Sequence, residues 1–159
     1  MTASLSRSRP GFGLPGRIQA PNSQPRSIAI VGLGEGGAAV ARRIPREGLA
    51  HLDVHVLAKN AGADALAAIQ AGGGDLQRDL QAADMIFIVA CRGDDVALAC
   101  VVSGIARACG HSVTGIYLVA PDELGPEDAA LCSLRKSVEM LVVVSDESYV
   151  TAMINALGG

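Results

Sequence analysis

The 159 residues are half hydrophobic and only 18% charged, which excludes a disordered chain and leaves enough apolar material for one domain with a substantial core. Aromatic residues make up 3% and tryptophan is absent, so that core must be built from Val, Ile, Leu and Ala, as in parallel sheets covered by helices on both faces. A net charge of −3 and a pI near 5.5 remove any general electrostatic drive toward nucleic acid or an anionic membrane.

Residues 1–26 differ in kind from the rest. Ser, Pro, Gly and Gln dominate, the charged residues are Arg7, Arg9, Arg17 and Arg26, and no acid precedes Glu35. They read as a flexible basic tail. A contact segment for an acidic partner or an organelle-import sequence is the alternative, although the prolines oppose the amphipathic helix that import requires. Residues 27–159 form the folded domain.

From residue 27 onward, β-branched runs alternate with alanine-rich segments of helical period, the signature of successive βαβ units. Strand Ser27–Val31 runs into Gly32-Leu-Gly34-Glu-Gly36-Gly37 and a helix near Glu35–Ile44. Small residues there let the backbone approach an anion, and the free N–H groups and positive dipole end of the helix attract it. A close-packed strand-to-helix turn with no ligand selects the same glycines. Arg42, Arg43 and Arg46 close this helix, either as a contact for an acidic partner or as a solvated helix end favoured by the dipole. Strand Asp53–Ala58 and a helix near Ala63–Ala71 follow; the three glycines at 72–74 end that helix and Asp75 caps a short one, Leu76–Ala82. Strand Met85–Ala90 leads to a helix near Val96–Cys109, Ser112–Val119 to one near Pro126–Lys136, and Met140–Val144 to a last helix near Glu147–Leu157.

The expected fold is α/β: a three-layer, doubly wound, Rossmann-like sheet of about five parallel strands. With the first strand central, its glycine turn and the turn at residues 91–95 lie side by side at the carboxyl edge, where a ligand site belongs. That edge also offers Lys59 and Asn60, Ala120–Glu123, and Ser145–Glu147. The acidic pairs Asp94–Asp95 and Asp146–Glu147 would repel a polyphosphate unless a divalent cation intervened; the plainer reading is that each caps the helix after it. Cys91, Cys100, Cys109 and Cys132 show no C-x-x-C spacing and His51, His55 and His111 are scattered, so no metal site is read. The thiols fit small core spaces in a reducing cytosol. Cys91 is held open, because Arg92 beside it would stabilise a thiolate. No apolar run reaches membrane-spanning length, the longest being Met85–Ala90 and Met140–Val144, so a soluble cytoplasmic protein is expected.

Several segments together resemble FtsZ, the bacterial tubulin homologue. Ile28-Ala-Ile-Val-Gly-Leu-Gly-Glu-Gly-Gly-Ala-Ala-Val-Ala-Arg-Arg-Ile44 looks like the family's first strand, first glycine loop and first helix. His55-Val-Leu-Ala-Lys-Asn60-Ala-Gly-Ala-Asp-Ala-Leu66 is similar to F-I-A-V-N-T-D-A-Q-A-L, and Ala83-Asp-Met-Ile-Phe-Ile88 to A-D-M-V-F-I. Val101–Gly110 resembles the helix after that strand, and Leu134–Val144 resembles L-x-x-x-V-D-T-L-I-V-I. The resemblance implies the fold of the FtsZ/tubulin nucleotide-binding domain, GTP or GDP as ligand, a cell-division setting, and Gly32, Gly34, Gly36, Gly37, Asn60 and Gly93 as nucleotide-binding positions.

The departures are as informative. Where the family has the phosphate-wrapping G-G-G-T-G-T-G, this chain reads Cys91-Arg-Gly-Asp-Asp-Val-Ala-Leu98, keeping only Gly93 and adding two carboxylates. The crossover Gln70–Gln81 is far shorter than the family's, which carries another phosphate-contacting loop. The family's guanine-reaching asparagine is Ala38 or Ala39, and its P-N-D is Ser145-Asp-Glu. The resemblance stops before the second subdomain, which in the family supplies the catalytic acidic loop. It implies a truncated FtsZ-like protein without GTPase activity or catalytic residues, a scaffold or modulator that self-associates or joins a full-length FtsZ, with residual GTP or GDP binding. The alternatives are a small nucleotide-binding module and a Rossmann-type NADP module. The last wants an acid after the second strand, where Lys59-Asn60 stands. An enzyme built on Cys91, Arg92 and Asp94 lacks a histidine in reach.

Overall fold

The computed structural model describes residues 26–49, 51–57, 76–126 and 128–158. The strands are β1 (Ile28–Leu33), β2 (Leu52–Leu57), β3 (Met85–Cys91), β4 (Val113–Leu118) and β5 (Met140–Val144). They form one sheet in the order β2-β1-β3-β4-β5, and every neighbouring pair is parallel. Parallel neighbours need a crossover, and the described crossovers hold helices α1 (Gly34–Arg43), α2 (Leu76–Ala82), α3 (Ala99–Ala108) and α4 (Ala129–Ser137). Helix α5 (Glu147–Gly158) follows β5.

Alternate residues of each central strand feed two cores. Ala29, Val31, Ile86, Ile88 and Tyr117 pack with Leu80 of α2, Val102 and Ala106 of α3 and Leu134 of α4. On the opposite face Ile28, Ile30, Phe87, Val89 and Ile116 pack with Val40 and Ala41 of α1 and Val150 and Ile154 of α5. Burial on both faces explains why β1 and β3 read as unbroken apolar runs, and all six residues of β1 are buried. Each such Ile, Leu or Val contributes about 1.5–3 kcal/mol by leaving water. The fold is the three-layer α/β, Rossmann-like arrangement read from the sequence.

Strand order reverses between β1 and β3, so a crevice opens outside their carboxyl ends. Several boundaries differ from expectation there. β1 continues to Leu33 and α1 opens directly at Gly34, so no separate glycine turn exists. Helix α3 starts at Ala99 rather than Val96, because the Asp95 carboxylate accepts from the Ala97 N–H at 2.8 Å and holds a turn first. Helix α4 starts at Ala129 rather than Pro126, with Asp128 as its cap through the Leu131 N–H at 3.0 Å. The helix expected near Ala63–Ala71, Lys59, Asn60 and all but Arg26 of the basic tail lie outside the described residues.

Candidate functional site

Four glycines bring α1 against the ends of β1 and β3, and each is required by what a Cβ would strike. At Gly32 it would lie 2.5 Å from the Gly37 carbonyl oxygen, and at Gly37 it would lie 2.2 Å from the Val89 carbonyl oxygen. Both obstacles are backbone. Gly34 has φ +68 and would meet the Asp94 side chain at 2.6 Å, while Gly36 would meet the Cys91 Cβ at 2.8 Å. The pattern therefore serves close helix–strand packing whether or not a ligand is bound. Gly93 has φ +84 with open space around it, so its requirement is the left-handed turn after β3.

The residue before α1 is Leu33, which has no side-chain acceptor for the helix's first N–H groups. They are met from the β3 loop. Asp94 Oδ1 accepts from the Gly36 N–H at 3.0 Å, and Oδ2 accepts from the Gly37 N–H at 2.8 Å and the Cys91 N–H at 2.7 Å. A carboxylate thus sits where the glycine loop would hold an anion, at the positive end of the α1 dipole. The sequence reading that both aspartates cap the helix after them holds neither for Asp95, which meets the Ala97 N–H in the turn before α3 while the cap position Leu98 has no side-chain bond, nor for Asp94. The latter caps α1 across the crevice.

Gly34, Gly36, Gly93 and Asp94 line a cleft of about 460 Å³ together with Glu35, Arg92 and Asp95. A second cleft of about 690 Å³ adjoins it, sharing Arg92, Gly93 and Asp94 and reaching Glu123 and Asp128 beyond β4. Arg92 is the one cation among the described lining residues, against five carboxylates across the two clefts. Gly32 and Gly37 are buried beneath these clefts rather than lining them. Of the six positions implied by the resemblance, Gly34, Gly36 and Gly93 share one surface and Asn60 lies outside the described residues.

Asp128, which lines the second cleft, has a buried partner that sequence reasoning missed. Tyr117 is fully buried and donates its hydroxyl hydrogen to Asp128 Oδ2, while Asp128 Oδ1 caps α4. Burial, then the Asp128 carboxylate, pushes the Tyr117 phenol well above its ordinary value. Burial alone would raise Asp128, but the Tyr117 hydroxyl and the Leu131 N–H outweigh it and hold that carboxyl below its usual range. The available signal was an aspartate immediately before an apolar helical run.

Cys91 does not offer a thiolate. Burial and then the Asp94 and Glu147 carboxylates push its thiol up to about 11. Arg92 does not offset this; the cation that faces Cys91 is Arg43, and it is engaged by Glu147 through bonds of 2.9 and 2.8 Å. That pair ties the end of α1 to the first turn of α5, so Arg43 is not a free member of a basic cluster. Asp146 caps α5 by accepting from the Ser148 N–H at 2.7 Å, as its position predicts.

Compared with known proteins, the chain matches no family model and no curated protein. Among the described residues, no helix is long and apolar enough to cross a membrane.

Proposed function

We propose that this chain is an FtsZ-like scaffold that acts through protein contacts and does not hydrolyse GTP, its phosphate loop closed by its own Asp94. The observation that carries this reading is the Asp94 carboxylate on the N–H groups of Gly36, Gly37 and Cys91. Any phosphate at this position must first displace it. Hydrogen bonds to a charged group are each worth about 1.5–3 kcal/mol when buried, and less where water replaces them. A displacement cost of about 2–4 kcal/mol lowers affinity roughly 30- to 700-fold. The remaining carboxylates of the clefts add repulsion, and among the described lining residues Arg92 alone opposes it.

The test is calorimetric titration of GTP, GDP, ATP and NADPH, with and without magnesium, into the wild type and Asp94→Ala. The wild type should give no saturable signal at millimolar nucleotide, and Asp94→Ala should bind guanine nucleotide at least about 30-fold more tightly than the wild-type limit. Saturable binding to the wild type in the micromolar range would overturn the reading. Glycine variants cannot serve here, because a side chain at Gly37 collides with backbone and disturbs folding before it disturbs binding.

A further inference from the structure

The sheet has two edges, and they are built differently. β2 carries Asp53, an exposed charge within the strand, which is the usual guard against edge-to-edge pairing. β5 is Met-Leu-Val-Val-Val, with no charge, proline or glycine, and among the described residues nothing pairs its outer side. The exposed large hydrophobic residues described are Met140, Val143, Leu124 and Tyr149. Two are in β5, Leu124 shares a groove with Val143, and Tyr149 lies in the first turn after β5. Met140 is 61% exposed, far more than a residue kept for the core would be.

We infer that β5 pairs antiparallel with β5 of a second copy about a two-fold axis at Val142, joining the two five-stranded sheets into one. Met140 then faces the partner's Val144, and Leu141 the partner's Val143. Charge selects this occupant and this direction. Helix α4 runs back along the sheet, so its last turn sets exposed Arg135 and Lys136 at the amino end of β5. Glu139, the acid at that end, is engaged by Arg107. The loops at the carboxyl end carry exposed Asp122, Glu123 and Asp146. A strand basic at one end and acidic at the other is complementary to itself only when reversed. The inference rests on the scaffold reading and names its contact.

The experiment is sedimentation equilibrium of the full chain with cysteine crosslinking. Wild type should dimerise. Met140→Lys, Val143→Lys should raise the dimer Kd at least about tenfold, because the two charges would face the apolar Val144 and Leu141 of the second copy. Both positions are exposed, so the monomer should keep its circular dichroism and cooperative melt. In a Cys100→Ser, Cys132→Ser background, Val142→Cys should form a symmetric disulfide dimer, while Val143→Cys should crosslink far more slowly. Arg135→Glu, Lys136→Glu should weaken the dimer, and Asp122→Lys, Glu123→Lys added to it should restore it. A monomer at every concentration, or a dimer indifferent to the lysines, would overturn the interface. Faster crosslinking at 143 than at 142 would overturn the register. Neither result touches nucleotide binding, so a monomer that ignores GTP leaves the closed loop standing, and a β5 dimer that binds GTP does the reverse.

Discussion

Replacing Asp94 by alanine removes one side chain and strands three backbone donors, the N–H groups of Gly36, Gly37 and Cys91. The site is only part-buried, so water re-enters and the loss is below the sum of three fully buried charged bonds. Loss of a helix N-cap costs about 0.5–2 kcal/mol, and loss of the Cys91 bond about 1 kcal/mol more. Asp94→Ala should therefore destabilise by about 1.5–3 kcal/mol, lowering Tm by about 3–12 °C for a domain of this size. Asp94→Asn keeps one carbonyl acceptor and should lose about half as much. Urea unfolding supplies the energies, and amide exchange supplies the location: the Gly36, Gly37 and Cys91 amides should exchange at least about tenfold faster. Phosphate at tens of millimolar should raise the Tm of Asp94→Ala and leave the wild type unmoved, since only the variant exposes the donor set. An Asp94→Ala protein within about 0.5 kcal/mol of wild type, with those amides still protected, would refute the trans-cap.

Other consequences separate packing from charge. Gly37→Ala should cost about 3 kcal/mol or more, because its Cβ meets the Val89 carbonyl at 2.2 Å, while Gly93→Ala, strained only in φ, should cost about 1 kcal/mol; urea melts of the two compare them directly. At pH 8, iodoacetamide should label exposed Cys100 and Cys132 well before Cys91, whose thiol is pushed up to about 11, and peptide mass mapping reads the order. The Val113 N–H and then Arg107 hold the Glu139 carboxyl below its ordinary range. A depressed folded pKa gives stability that is present above the unfolded carboxylate range, near pH 4, and drains as pH falls through the folded value. Glu139→Gln should thus be less stable at neutral pH and show a shallower acid limb in denaturation from pH 6 to 2. Tyr117→Phe leaves Asp128 without its buried hydroxyl partner and should cost about 1–2 kcal/mol in the same assay.

How far the sequence carried depended on whether the cause was local. Met140–Val144 and Leu76–Ala82 have the bounds expected of them, since one is an unbroken apolar run ending in three valines and the other is flanked by glycines and a break. Starts of α3 and α4 were misplaced by three residues each, because Asp95 and Asp128 choose which N–H groups they meet, and that choice is conformational. The crevice between the β1 and β3 ends follows from strand order and was legible. Its occupant was not. Asp94 reaches N–H groups 57 and 58 residues away in sequence, and a carboxylate near a glycine loop reads equally as a repulsive wall or as a resident anion until the backbone is placed. Cys91 reversed for a similar reason: its sequence neighbour is a cation, but Asp94 and Glu147 act on it in space.

The most direct measurement is the titration of GTP with magnesium into the wild-type chain by calorimetry, up to millimolar nucleotide. A flat isotherm for the wild type beside a saturable one for Asp94→Ala is the predicted result. A wild-type isotherm that saturates in the micromolar range would contradict a loop closed by its own carboxylate.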